Sequence, residues 1–270
     1  MKNSIINKVK SSSKFKKFNR SFKVFYANNF INNSKWLPEK YDRIYHLHIR
    51  KSGGTSINSA FWNLSDLHLD MFGREAIINK KGKTFVRMSK DLIEHSNYFY
   101  ASSHFPFWQI TLRPNTYSFT VLRDPYKRLV SLYKYYNWVS QVDPEVGPKL
   151  DPTYPILYNQ KSLLNKSFKE FMLNLSDKYL FGQLYFYSKN KDVKEAIQSL
   201  TEINKVFFLS DYETVLPALN KDLNLSLREP GRKRDFGDVN FNIDDEEKEY
   251  AIHILRDEIK FYNKAKQIYS

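Results

Sequence analysis

The sequence predicts an α/β protein: a single domain with a central parallel sheet flanked by helices on both faces. Three observations carry that prediction. Strand-like segments alternate with helix-like ones along the chain. The first strand runs through a glycine turn directly into a helix, and no internal repeat interrupts the order. The 270 residues are ample for one large hydrophobic core.

In order along the chain, Arg43–Ile49 (RIYHLHI) alternates and is rich in β-formers, so it reads as the first strand. Lys51–Thr55 holds two glycines, and Ser56–Leu64 has helical spacing. Tyr98–Ala101 reads as a second short strand leading to His104, and Tyr117–Leu122 as a third. Arg123-Asp124-Pro125 then opens a helix from Tyr126 to Trp138, because proline lacks only an N–H that a first turn leaves unpaired. Val139–Gln160 carries Pro144, Pro148, Pro152 and Pro155 and reads as a long irregular loop. Helical patterns follow at Phe168–Leu175 and Val193–Glu202, a fourth strand at Lys205–Leu209 and a helix at Tyr212–Leu223. Residues 226–241 read as a charged loop. Asp244–Ile268 closes the chain as one long amphipathic helix with acids at its positive end.

Composition narrows the function. A hydrophobic share of 41%, with 16% aromatic, excludes a disordered chain. The absence of cysteine excludes disulfides, thiol catalysis and cysteine-bound metal. With no run of about 18 apolar residues and no apolar stretch of signal-peptide type near the start, a cytoplasmic protein without a transmembrane segment is expected. The net charge of +14 is uneven: residues 1–40 hold ten Lys/Arg and one acid. We read residues 1–40 as a basic N-terminal arm and 41–270 as one folded domain. The arm reads as solvated, with contact to nucleic acid or to an anionic membrane surface as alternatives. The body is not basic enough for a nucleic-acid groove, so no nucleic-acid partner is expected for it.

Two turns at strand ends carry the chemistry, since ligands of open parallel sheets bind beyond the carboxyl ends of the strands. The first is Arg50, Lys51, Ser52, Gly53, Gly54, Thr55 and Ser56. Glycines allow close backbone approach, and the N–H groups of the following helix make an anion site. An ordinary strand–helix turn is the bland alternative. A nucleoside-triphosphate P-loop has its lysine after the last glycine; here Lys51 precedes Gly53. The second turn is TVLRDPYKRLVSLY, in which Arg123 and Ser131 lie eight residues apart and suit a second phosphate. A salt-bridged helix start is its bland alternative.

Together, HIRKSGGTSI and TVLRDPYKRLVSLY resemble the cofactor-binding signature of sulfotransferases, closest to the carbohydrate branch that includes heparan sulfate 2-O-sulfotransferases. The likeness extends to His104 in SSHFPF, to Tyr179–Leu180 and to DEIKFYNKA in the last helix, spanning Arg43 to Ala265. It implies a P-loop-like sulfotransferase fold and the donor 3′-phosphoadenosine 5′-phosphosulfate (PAPS, leaving as the bisphosphate PAP). It implies a 5′-phosphosulfate site at Lys51–Ser56 and a 3′-phosphate site at Arg123 and Ser131. Lys51 would then stabilise the leaving phosphate and His104 would act as base. The sequence departs from the family pattern at Arg50, where proline is usual, and at Ser52, where threonine is common. A Gly- and Trp-containing C-terminal cofactor loop is not evident; Gly231-Arg232-Lys233-Arg234 stands in its place.

His46 and His48 share one strand face but lack a third ligand, so a core or supporting role and no metal are expected. The expected acceptor is a hydroxyl or amine of a glycan or small molecule. Trp138, Tyr154 and Tyr158 could stack on it, while Asp143, Glu145 and Asp151 could attract a cation. Two other classes remain open at this stage: a Mg-ATP-dependent kinase, for which Lys205–Asp211 weakly resembles a metal-binding strand end, and a non-catalytic nucleotide- or polyanion-binding module.

Overall fold

The computed structural model describes residues 13–270 apart from 31, 73–74 and 231–238. Six strands form one sheet: β1 (Arg43–Leu47), β2 (Ile77–Lys80), β3 (Lys83–Arg87), β4 (Tyr100–Ser103), β5 (Thr116–Leu122) and β6 (Lys205–Phe208), in the order β2-β3-β4-β1-β5-β6. All neighbouring pairs are parallel except β2 and β3. The fold is thus α/β with a mostly parallel central sheet.

The expected central parallel sheet carries one antiparallel pair at its edge. Ile77–Arg87 is a tight hairpin whose central residues, Lys81 and Gly82, both have positive φ (49° and 71°), the geometry that matches the twist of two-residue hairpins. Central strand β1 is buried at every position, Arg43 and His46 included, as expected of a strand covered on both faces.

One face of the sheet buries Tyr45 and Leu47 with Tyr187, Leu200 and Phe261. The other buries Ile44, Phe61, Tyr100 and Phe119 with Val215 and Leu219. A third cluster, beside the sheet, gathers Leu129, Tyr136, Tyr154, Phe168 and Leu255. The supposed irregular loop contributes to it. The Pro125–Gln141 helix runs three residues further than expected, and Gly147–Leu150 and Tyr154–Tyr158 are short helices.

The closing helix is two helices, Asp245–Ile254 and Arg256–Tyr269, broken at the wholly buried Leu255. The first packs on the Phe168–Asn174 helix and the second on the sheet side. Part of the expected arm, Ser13–Phe30, is helical and packs against β2. Gly231-Arg232-Lys233-Arg234 lies outside the described residues. Among the described residues, no helix is long and apolar enough to cross a membrane.

Candidate active site

Strands β4, β1 and β5 are adjacent and parallel, so their carboxyl ends deliver three groups side by side. Leu47 is in register with Ser103 and with Thr120. Arg50 and Lys51 follow β1, His104 follows β4 directly, and Arg123 follows β5 directly. A cavity of about 310 Å³ opens there, lined by Arg50, Lys51, Gly53, Gly54, Thr55, Ser56, His104, Arg123 and Ser131. The structure therefore brings together nine of the ten residues singled out in sequence. The tenth, Ser52, turns inward: its side chain is buried and its hydroxyl has no hydrogen-bond partner, so only its main chain belongs to the turn.

The turn is shaped by close contacts. Lys51 has φ +67°, a left-handed conformation costing an L-residue about 1–2 kcal/mol. Its carbonyl accepts a 2.9 Å bond from Arg123 Nη1, which ties the two motifs together. Gly53 has φ +78° and caps the Gly54–Asn63 helix without a side-chain cap bond. A Cβ on Gly54 would lie 2.1 Å from the His48 ring, so the helix reaches the sheet closely only because that residue is glycine. The start of this helix, lacking a side-chain cap, faces the cavity as an anion site.

The cavity is cationic. Arg50, Lys51, Arg87 and Arg123 line it, and among the described residues no carboxylate does. Lys51 Nζ sits 4.4 Å from the Tyr135 ring centroid, and Arg50 lies over Tyr179 at 5.3 Å. Arg50 Nε is buried without a hydrogen-bond partner. A group bearing two separated anionic centres fits this donor set.

His104 Nδ1 donates to the His48 carbonyl, so Nε2 carries the free lone pair. Burial, then the nearby Arg50 guanidinium, hold the His104 pKa well below the usual histidine value, with Arg87 and Lys178 adding to the effect. The ring is neutral at pH 7. Behind it runs a column of rings: His104 on His48 (4.4 Å), His48 on His46 (5.1 Å) and His46 on Phe119 (4.5 Å). Asn58 threads them, donating to His48 Nδ1 (3.2 Å) and accepting from His46 Nδ1 (2.9 Å) and from the Tyr100 hydroxyl (2.5 Å). Burial lowers the His46 pKa to about 4. His46 is thus a core residue, and His48 links it to the cavity. Among the described residues, no group of three or more His, Asp or Glu side chains could hold a metal ion.

Arg128, inside the second motif, points away from the cavity. It is buried against Glu258 (3.2 Å) and donates to the Tyr179 and Leu180 carbonyls (3.0 and 2.6 Å). The Gln183 side chain bonds Glu258 (3.2 Å) and both the N–H and the carbonyl of Arg123 (2.7 Å each). Gln183 thereby holds the main chain of Arg123, while the Lys51 carbonyl holds its guanidinium.

Several contributors escaped the sequence reading. Arg87 comes from the unrecognised hairpin, where Lys81-Gly82 between β-forming runs was the available signal. Tyr135 lies one helical turn beyond Ser131, on the same helix face, and Tyr136 beside it. Thr153 and Leu157 reach the cavity from the supposed loop, while three of the residues singled out near it are packed inside. Trp138 and Tyr154 are buried in the third cluster. Asp151 is buried and accepts from the Tyr135 hydroxyl (2.5 Å) and from Thr153, so it anchors the fold. Asp211, at the end of the supposed metal-binding strand, is exposed and does not line the cavity.

No curated protein matches the chain. Among solved structures, mouse sulfotransferase SULT7A1 complexed with PAP is similar at 12% identity, over 86% of this chain and 67% of that one, with a TM-score of 0.35. The model of the sulfotransferase family matches residues 36–184, more than half of the chain. That span takes in both strand-end turns and His104, and with it the chain belongs to the sulfotransferase family, a family of transferases.

Proposed function

We propose that the protein transfers a sulfuryl group from PAPS to a hydroxyl or amine of a glycan or small-molecule acceptor. The observation that carries this reading is one cavity lined by four cationic side chains and, among the described residues, by no carboxylate, with a neutral histidine beside them. When bound, the donor supplies the activated sulfuryl group and leaves as the bisphosphate PAP.

The residues divide the work as follows. The turn Lys51–Ser56, with the first N–H groups of its helix, would hold the 5′-phosphosulfate. Arg123 and Ser131 would hold the 3′-phosphate. Lys51 would neutralise charge that develops on the departing phosphate. His104 Nε2 takes the acceptor proton; as negative charge enters beside Arg50, the cationic pressure on the ring falls and its basicity rises. Tyr135, Tyr136 and Tyr179 wall the cavity, with aromatic faces suited to a sugar ring.

Calorimetric titration with PAP in EDTA, beside ATP with Mg²⁺, tests the reading. Tight binding of PAP without metal is expected. Binding of Mg-ATP alone would overturn the sulfuryl donor and favour a kinase.

A further inference from the structure

The Ser13–Phe30 helix carries five basic residues, six aromatic residues and no acid. Its inner face is held to the body. Ala27 is wholly buried, Lys23 pairs with Glu75, and Asn28 Oδ1 accepts from the Asn97 N–H at 2.6 Å. The Lys23 carbonyl also accepts from Asn79 of β2.

The outer face has the opposite character to a solvated helix. Phe22, Phe25, Tyr26 and Phe30 are 58%, 57%, 39% and 65% exposed. At 3.6 residues per turn they fall within one arc of about 140°. Phe30 touches both Phe25 and Tyr26, with ring centroids 6.0 and 5.5 Å apart. A contiguous aromatic patch of this kind is costly in water unless something covers it.

We propose that this helix seats the protein on an anionic lipid surface, with its aromatic arc in the headgroup region and the positive charge of its sequence drawn to the lipid phosphates. Charge complementarity selects this occupant. A second copy would bring an equally basic, acid-free helix against the first. A nucleic acid would satisfy the lysines without calling for four exposed aromatic rings on one side of the helix. The docked helix also lies close to the cavity wall. Its partner Glu75 precedes Ala76, whose carbonyl accepts from the N–H of the cavity residue Arg87 at 2.9 Å. Lipid binding through this helix would keep the Arg87 side of the cavity next to the membrane surface.

The test is flotation of the full chain with vesicles of phosphatidylglycerol and phosphatidylcholine, against vesicles of phosphatidylcholine alone. The chain should float only with the anionic vesicles and should be released by high salt. The triple substitution Phe22→Ser, Phe25→Ser, Phe30→Ser should lower partitioning at least ~10-fold with no loss of Tm, since all three side chains are more than half exposed. A wild-type chain that stays in solution overturns the proposal, as does a triple variant that floats equally well. Light scattering adds a third check: a wild-type dimer converted to monomer by the triple change would assign the patch to a second copy instead.

Discussion

At the residue scale, the site depends on a few positions whose backbone geometry is unusual. Lys51 takes a left-handed φ so that its carbonyl meets Arg123 while its ammonium faces the cavity. Strain of this kind persists where surrounding contacts fix it. His104 is held by its own Nδ1–H, so replacing it should remove proton transfer and leave the phosphate grips alone. His104→Ala is expected to lower kcat by about 10²–10⁴ with PAP affinity unchanged. Arg123→Ala should do the reverse and weaken PAP binding by about 10–100-fold. Steady-state kinetics beside calorimetry separates the two. Unchanged turnover in the first variant, or unchanged affinity in the second, removes that residue from its role.

At the scale of elements, the second motif is a joint between three segments. Arg128 on the Pro125–Gln141 helix, Gln183 on the Gly182–Tyr187 helix and Glu258 on the last helix form one buried network that holds the Arg123 main chain. Burial raises the Glu258 pKa, against the pull of Arg128. Removing the arginine leaves a buried carboxylate without its cation. Arg128→Met should therefore destabilise the fold by about 3–5 kcal/mol, and Arg128→Met with Glu258→Gln by less. Urea midpoints of the three proteins measure this; equal losses in the single and double variants would refute the coupling. The sequence showed that an arginine-containing helix start was present, but offered a phosphate site or a salt-bridged helix start for it. Glu258, about 130 residues away, carries no local sign that it is Arg128's partner.

At the scale of the molecule, the ring column from Phe119 to His104 ties core to site and makes stability depend on pH. Burial comes first among the causes that lower the pKa of His46, His48 and His104. Above the unfolded histidine pKa near ~6.5, neither state binds these protons, and they cost nothing. As the pH falls below it, the unfolded chain takes up protons that the folded chain refuses. Stability should then fall by about 1.4 kcal/mol per pH unit for each histidine, until the folded pKa is reached, about 4 for His46. Urea midpoints between pH 7.5 and 5 check the sign. A flat profile, or stability rising on acidification, would show that the column is not neutral in the fold.

The sequence by itself determined the elements with strong local signals. Four of the six strands, the glycine turn and the proline-led helix were legible because their periodicity and turn chemistry are properties of adjacent residues. The two strand-end motifs were legible for the same reason, each being a short run of fixed spacing. Tertiary structure alone decided the rest. Leu255 breaks the last helix with neither glycine nor proline nearby, because the two halves pack on different partners. The proline-rich stretch folds onto the third cluster because its aromatic residues gain more from burial than from exposure. The partners of Arg123, Arg128 and His48 come from distant parts of the chain, and only packing brings such groups within hydrogen-bonding range.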